Sequence, residues 1–134
     1  MPVAKKILFV CVENAGRSQM AEGFFRKHAP SGYEPQSAGT EPTSAINPLA
    51  IDVMKEIGID ISNQQPKIIS DSMIQQSFRV VNMGCMNKES CPALSVQNVL
   101  DWAIPDPKGK PLDEVRQIRD LIEKRILDLC KALE

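Results

Sequence analysis

The sequence predicts an α/β protein, a single domain built on a four-stranded parallel sheet with helices on both faces. Three observations predict it. Short apolar runs alternate with stretches of helical spacing from one end of the chain to the other. No repeat, low-complexity tract or linker interrupts them, and 134 residues is the length of one domain with a proper core. Finally, the residues that carry chemistry fall just after strand candidates, at the edge where parallel sheets collect ligands.

Taken in order, Lys6–Val10 contains the apolar run Ile7-Leu8-Phe9-Val10 and reads as the first strand. Ser18–Lys27 follows as a helix, with Met20, Ala21, Phe24 and Phe25 at helical spacing. Tyr33–Gly39 is the second strand. Asn47 caps a helix that starts at Pro48 and is closed by Gly58, with Leu49, Val53, Met54 and Ile57 as its apolar stripe. Residues 59–66 read as a connector. A short helix from Asp71 should turn Met73, Ile74 and Phe78 inward. The third strand is Phe78–Met83 and the fourth Val96–Trp102. The last helix, Leu112–Leu133, shows one long stripe of Val115, Ile118, Ile122, Ile126, Leu129 and Leu133, with Asp113 and Glu114 at its positive end.

Composition narrows the class of function. At 43% apolar, 25% charged and net charge −1, the chain has ordinary globular composition. Nothing in it argues for broad binding to nucleic acid or to an anionic membrane. No apolar run reaches membrane length, and the apolar part of the first ten residues is short for a signal peptide, so a cytoplasmic protein is expected. In that compartment the four cysteines, Cys11, Cys85, Cys91 and Cys130, point to metal binding or redox catalysis rather than structural bridges.

The organising stretch is Cys11-Val12-Glu13-Asn14-Ala15-Gly16-Arg17-Ser18, between the first strand and the first helix. A helix N-terminus offers unpaired N–H groups and partial positive charge, a natural seat for an oxyanion. Cys11 facing that seat is placed to act as a thiolate nucleophile, and Arg17 can grip two oxygens of a tetrahedral anion. A lone cysteine at a strand end is usually a small buried hydrophobe. The full order of strand, Cys, five residues, Arg, Ser and helix is much less accidental. Asp106, between Pro105 and Pro107, is a carboxylate on a stiffened backbone, suited to protonate a departing oxygen if it reaches Cys11. Cys85 and Cys91 sit in a short polar segment. No second Cys or His pair completes a zinc site, whereas a redox pair fits. Cys130, beside the stripe of the last helix, reads as a buried residue.

Cys-x5-Arg-Ser after the first strand, the downstream Asp106-Pro107 and the four-stranded sheet resemble the low-molecular-weight tyrosine phosphatase superfamily. Within it, residues 16–23, Ser37-Ala38-Gly39-Thr40, Asn47-Pro48, Ile59-Asp60-Ile61-Ser62, Cys85 with Cys91-Pro92, and Asp101-Trp102 with Asp106-Pro107 resemble the thioredoxin-coupled arsenate reductases. The resemblance implies that Cys11 attacks the arsenic of arsenate, held by Arg17 and the backbone amides of Val12, Glu13, Asn14, Ala15, Gly16 and Ser18. It implies Asp106 as the acid, Ser18 as a hydrogen-bond partner of Cys11, Asn14 as a brace, and Cys85 then Cys91 as the thiols that carry a disulfide to thioredoxin. A monomer that needs no resident metal or cofactor is the corresponding expectation.

Four departures qualify that reading. Gly16 stands where the phosphatases usually carry a second cysteine, and Lys108-Gly109-Lys110 replaces the aromatic residues that grip a phosphotyrosine ring. Glu13 puts a carboxylate in the loop, which must point away from the anion or weaken its binding. Some family reductases bind potassium through residues matching Asn14, Glu22 and Ser37 and an acidic residue. That last position is Lys67 here, whose ammonium is expected to replace the ion and pair with Glu22. The competing readings are a phosphatase using Cys11, Arg17 and Asp106 alone, and a non-catalytic oxyanion-binding or redox-sensing module.

Overall fold

The computed structural model describes residues 4–84 and 99–133. Cys85, Cys91 and the first residues assigned to the fourth strand lie outside them. The elements are β1 (Lys5–Cys11), α1 (Arg17–His28), β2 (Tyr33–Gly39), α2 (Pro48–Lys55), α3 (Asp71–Gln76), β3 (Ser77–Asn82), β4 (Val99–Asp101) and α4 (Leu112–Leu133). The four strands form one parallel sheet in the order β2-β1-β3-β4. The chain leaves β1 to one side for β2 and crosses to the other for β3. The gap between β1 and β3 at their carboxyl ends is therefore a topological switch point.

β1 is buried on both faces, and its alternation divides the core. Ile7, Phe9 and Cys11 join the larger cluster, with residues of α1, α2 and α4, whereas Leu8 and Val10 pack with Ala38, Ile74 and Val80 on the opposite face. Trp102 lies against Phe9, ring centroids 6.0 Å apart. Pro35, which cannot donate to a ladder, is accommodated because β2 is an edge strand. The helices begin where their sequences predict. Asn47 Oδ1 accepts from Leu49 N at 2.9 Å, and Ser70 caps α3 through Met73 N. Among the described residues no helix is long and apolar enough to cross a membrane.

Phe78 departs from the expectation that it turns inward: it is 41% exposed. The β1–β3 register steps from Lys6↔Ser77 to Ile7↔Arg79, so Phe78 is the extra residue of a bulge and drops out of the alternation. Its ring instead meets Tyr33 edge-on and lies under the Lys5 ammonium, 4.7 Å from the centroid. On α2 the fully buried positions are Ala50, Val53 and Met54, while Leu49 and Ile57 cover the rim of the core. α4 buries its predicted stripe up to Leu129 together with Cys130, leaves Leu133 at the rim, and also buries Arg119.

Candidate active site

Cys11 is the last residue of β1 and is almost wholly buried, and the loop Val12–Gly16 carries the chain from it into α1. The four carbonyls from Val12 to Ala15 are each bound on the outside of that loop. Val12 O accepts from Glu41 N, Glu13 O from Thr43 N, Ala15 O from Asn47 N, and Asn14 O from Gln19 Nε2. In a trans peptide the N–H points opposite to the C=O. The amides of Glu13, Asn14, Ala15 and Gly16 are therefore turned to the inner side of the loop, a concavity of donors suited to an anion. Asn14 N accordingly donates to Cys11 Sγ at 3.2 Å. Gly16 is the N-cap of α1, and no side chain caps that helix, so its first-turn N–H groups and positive dipole end add to the same concavity.

Asn14 shapes this loop. It alone among the described non-glycine residues has positive φ, +51°, a conformation that asparagine tolerates. Its fully buried side chain accepts from Lys67 N at 2.8 Å, which fixes Oδ1, so Nδ2 is the group donating to Ser18 Oγ at 2.6 Å. Ser18 Oγ thereby accepts one bond and still carries a proton, with Cys11 Sγ 2.8 Å away in a hydrogen bond that either atom can donate. The chain continues backward. Gln19 Nε2 donates to Asn14 Oδ1 and to Gln65 O, and Gln64 Nε2 donates to Gln19 Oε1.

An open cleft of about 410 Å³ lies over Cys11. Its walls come from the loop (Glu13, Ala15, Gly16, Arg17), from residues 43–48, and from residues 106–109. Arg17 Nη1 donates to Ile104 O at 3.1 Å, and its Nη2 lies 3.8 Å from Asp106 Oδ2. Asp106 Oδ1 accepts from Lys108 N, an Asx-type turn that aims the carboxylate. Pro107 packs on Gly16 so closely that a Cβ there would stand 2.8 Å from Pro107 Cγ. Glycine, not cysteine, is what this wall permits. Glu13 turns its carboxylate to Lys108 Nζ, 3.2 Å away at the rim. No aromatic residue lines the cleft among the described residues.

Behind the loop, Glu22 is buried and accepts from Ser37 Oγ at 2.6 Å and from Arg26 Nη2 at 2.8 Å, with Lys67 Nζ 3.9 Å from its other face. Two cations already face this carboxylate, and Asn14 Oδ1 already receives two N–H groups. These residues do not fit a further monovalent cation.

Cys11, Glu13, Ala15, Gly16, Arg17 and Asp106 thus line one cleft, while Val12, Asn14 and Ser18 build the loop beneath it. Glu22, Ser37 and Lys67 are gathered behind that loop, and Cys85 and Cys91 fall outside the described residues. Sequence reasoning missed Gln19, Gln64, the Ile104 carbonyl and the 43–48 wall. Only Gln19 left a signal, as a polar residue inside the apolar stretch of α1.

A family model described as low molecular weight phosphotyrosine protein phosphatase matches residues 6–134. The arsenate reductase of Staphylococcus aureus (strain Newman) is 40% identical over 120 residues, covering 89% of this chain and 91% of that protein. A solved structure of an arsenate reductase in the phosphate binding state gives a TM-score of 0.86 at 32% identity, over 97% of this chain and 99% of the other. A thioredoxin-dependent arsenate reductase from Corynebacterium glutamicum gives 0.81 at 36% identity, over 97% of this chain and 62% of that chain. The chain is an enzyme of the low molecular weight phosphotyrosine protein phosphatase family.

Proposed function

We propose that this enzyme reduces arsenate to arsenite through a relay of Cys11, Cys85 and Cys91, with thioredoxin as the external reductant. The Cys11 thiolate attacks arsenic while Arg17 and the loop amides hold the oxygens, and Asp106 protonates the oxygen that departs as water. Cys85 then attacks the Cys11 sulfur. The S–As bond breaks with its electron pair on arsenic, which passes from the +5 to the +3 state and leaves as arsenite. Cys91 attacks Cys85, freeing Cys11, and thioredoxin reduces the Cys85–Cys91 disulfide. Lys67 supplies the cation beside Glu22, so no resident metal is needed. The catalytic domain spans residues 1–134 and acts as a cytoplasmic monomer, without nucleic acid or membrane.

The observation that carries this reading is a cleft with nucleophile, arginine and acid but, among the described residues, no aromatic wall, in a chain 40% identical to an arsenate reductase. The phosphatase alternative is supported by the family match, since the same groups can hydrolyse a phosphate ester through a Cys11 phospho-enzyme. Thiol chemistry separates the two. Arsenate should drive a Cys85–Cys91 disulfide visible by mass spectrometry and consume reduced thioredoxin in a coupled assay. Cys85→Ser should abolish arsenite release while sparing hydrolysis of an aryl phosphate. Arsenite release that survives Cys85→Ser overturns the relay.

A further inference from the structure

The Arg17 guanidinium is fixed from two sides by polar partners, the Ile104 carbonyl and the Asp106 carboxylate. Its third neighbour is backbone. Gly84, two residues beyond β3, has φ +145° and is held there by its N–H donating to Asn82 Oδ1 at 3.2 Å. A Cβ on Gly84 would stand 2.5 Å from Arg17 Cζ and 2.8 Å from Nη2, and closer still to Nη1. The flat guanidinium lies against a backbone that has no side chain to keep it away.

We propose that Gly84 is a positioning residue for the oxyanion seat: its bare Cα fixes Arg17 in the plane from which the guanidinium grips two oxygens at once. The carbonyl of Ile104 anchors one nitrogen, but one hydrogen bond leaves the plane of the head free to rotate about it. Gly84 removes that rotation by contact, and Asp106 sets the outer edge. The group a Cβ would strike is the far end of a flexible side chain, so the head can swing aside. The loss therefore falls chiefly on anion binding, because bidentate recognition depends on orientation. The next residue in the sequence is Cys85. The chain thus enters the segment of the second thiol from a residue in contact with the arginine of the seat.

This inference rests on the seat proposed above, which inorganic phosphate alone can test in the full-length protein. The native protein should bind phosphate in a calorimetric titration. Gly84→Ala should weaken that binding by at least about tenfold, the loss of one charge-assisted bond, while thermal melting remains cooperative. In an Arg17→Lys background, already weak, adding Gly84→Ala should cost little more, because the compact ammonium has no planar head to displace. Should Gly84→Ala fail to fold, Asn82→Ala adds no atom; it frees the Gly84 N–H and also removes the bond from Asn82 Nδ2 to Asp101 Oδ1, which Asp101→Ala removes separately as the control. Relative to that control, Asn82→Ala should weaken phosphate binding by about threefold or more, in keeping with a neutral hydrogen bond. Equal phosphate affinity in native protein and Gly84→Ala, equal affinity in Asn82→Ala and its control where Gly84→Ala does not fold, or a full additive loss in the Arg17→Lys background, overturns the role of Gly84. If the native protein binds no phosphate, the seat itself fails and the proposal with it.

Discussion

At the scale of single residues, Asn14 decides more than any charged group in the loop. It is the one residue of positive φ in the loop, accepts two N–H groups and donates to the Ser18 hydroxyl that lies 2.8 Å from the Cys11 sulfur. Asn14→Asp tests the last role and adds a carboxylate near the sulfur, which acts in the same direction. The acceptor for Lys67 N survives, but the donor facing Ser18 becomes an acceptor, and Ser18 then donates to it instead of to Cys11. Alkylation of Cys11 by iodoacetamide at neutral pH should slow about fivefold, as for loss of a hydrogen bond of ~1 kcal/mol, and urea denaturation should show about 1–3 kcal/mol of lost stability. Unchanged alkylation would mean that Ser18 does not serve the sulfur. Cys11, Arg17 and Asp106 were legible in the sequence because reactive residue types at fixed spacing on a strand-to-helix turn leave few other uses. Gly84 was not. Its glycine answers a contact with Arg17, 67 positions earlier, and long-range sterics write no local pattern.

At the scale of elements, α2 and α4 are joined by charge where their apolar faces end. Glu56, just past α2, accepts from Arg116 Nη2 at 2.7 Å and from Arg119 Nη1 at 2.9 Å, and Arg119 also binds the Val53 carbonyl. The Arg116 hydrogen bonds hold the Glu56 carboxyl below its ordinary value, with Arg119 adding to the effect. A carboxyl whose folded value is depressed contributes stability at neutral pH and loses it as pH falls through that folded value. Glu56→Gln should therefore lower the melting temperature near neutrality and flatten its fall on acidification from about pH 7 to about pH 3. Parallel curves for the two proteins would show the clamp to be inert. The helices themselves were legible from caps and apolar stripes. The Phe78 bulge and buried Arg119 were not, because one depends on the register with β1 and the other on a partner from α2.

At the scale of the whole molecule, the two faces of the sheet carry unequal loads. α1, α2 and α4 build the large core cluster, whereas α3 covers a much smaller one. Ile122, fully buried on α4, belongs to the larger. Ile122→Ala should cost about 2–5 kcal/mol and lower the melting temperature by roughly 5 °C or more, read in urea and thermal unfolding. The folded fraction should keep its arsenate turnover, since α4 enters the cleft with no residue. A proportionate loss of turnover per folded molecule would tie the core face directly to the site. The switch point between β1 and β3 explains why function gathers at one end. Cys11, Gly39, Asn82 and Asp101 are the carboxyl ends of all four strands, and the cleft lies over the first of them.

The hydrogen-bond chain behind Cys11 also sets when its surroundings are completed. During synthesis β1, the loop and α1 emerge first. Yet the amide that orients Asn14 belongs to Lys67, 53 positions later, and Gln19 is held by Gln64 and Gln65. Until the connector docks, Asn14 Oδ1 lacks one of its two donors, and Gln19, the other donor, lacks both of its own outer partners. A ribosome-bound chain with its first βα unit complete therefore has this network only in part. The support beneath Cys11 closes only once residues 53 positions apart have met, so the site is among the last parts of the fold to be completed.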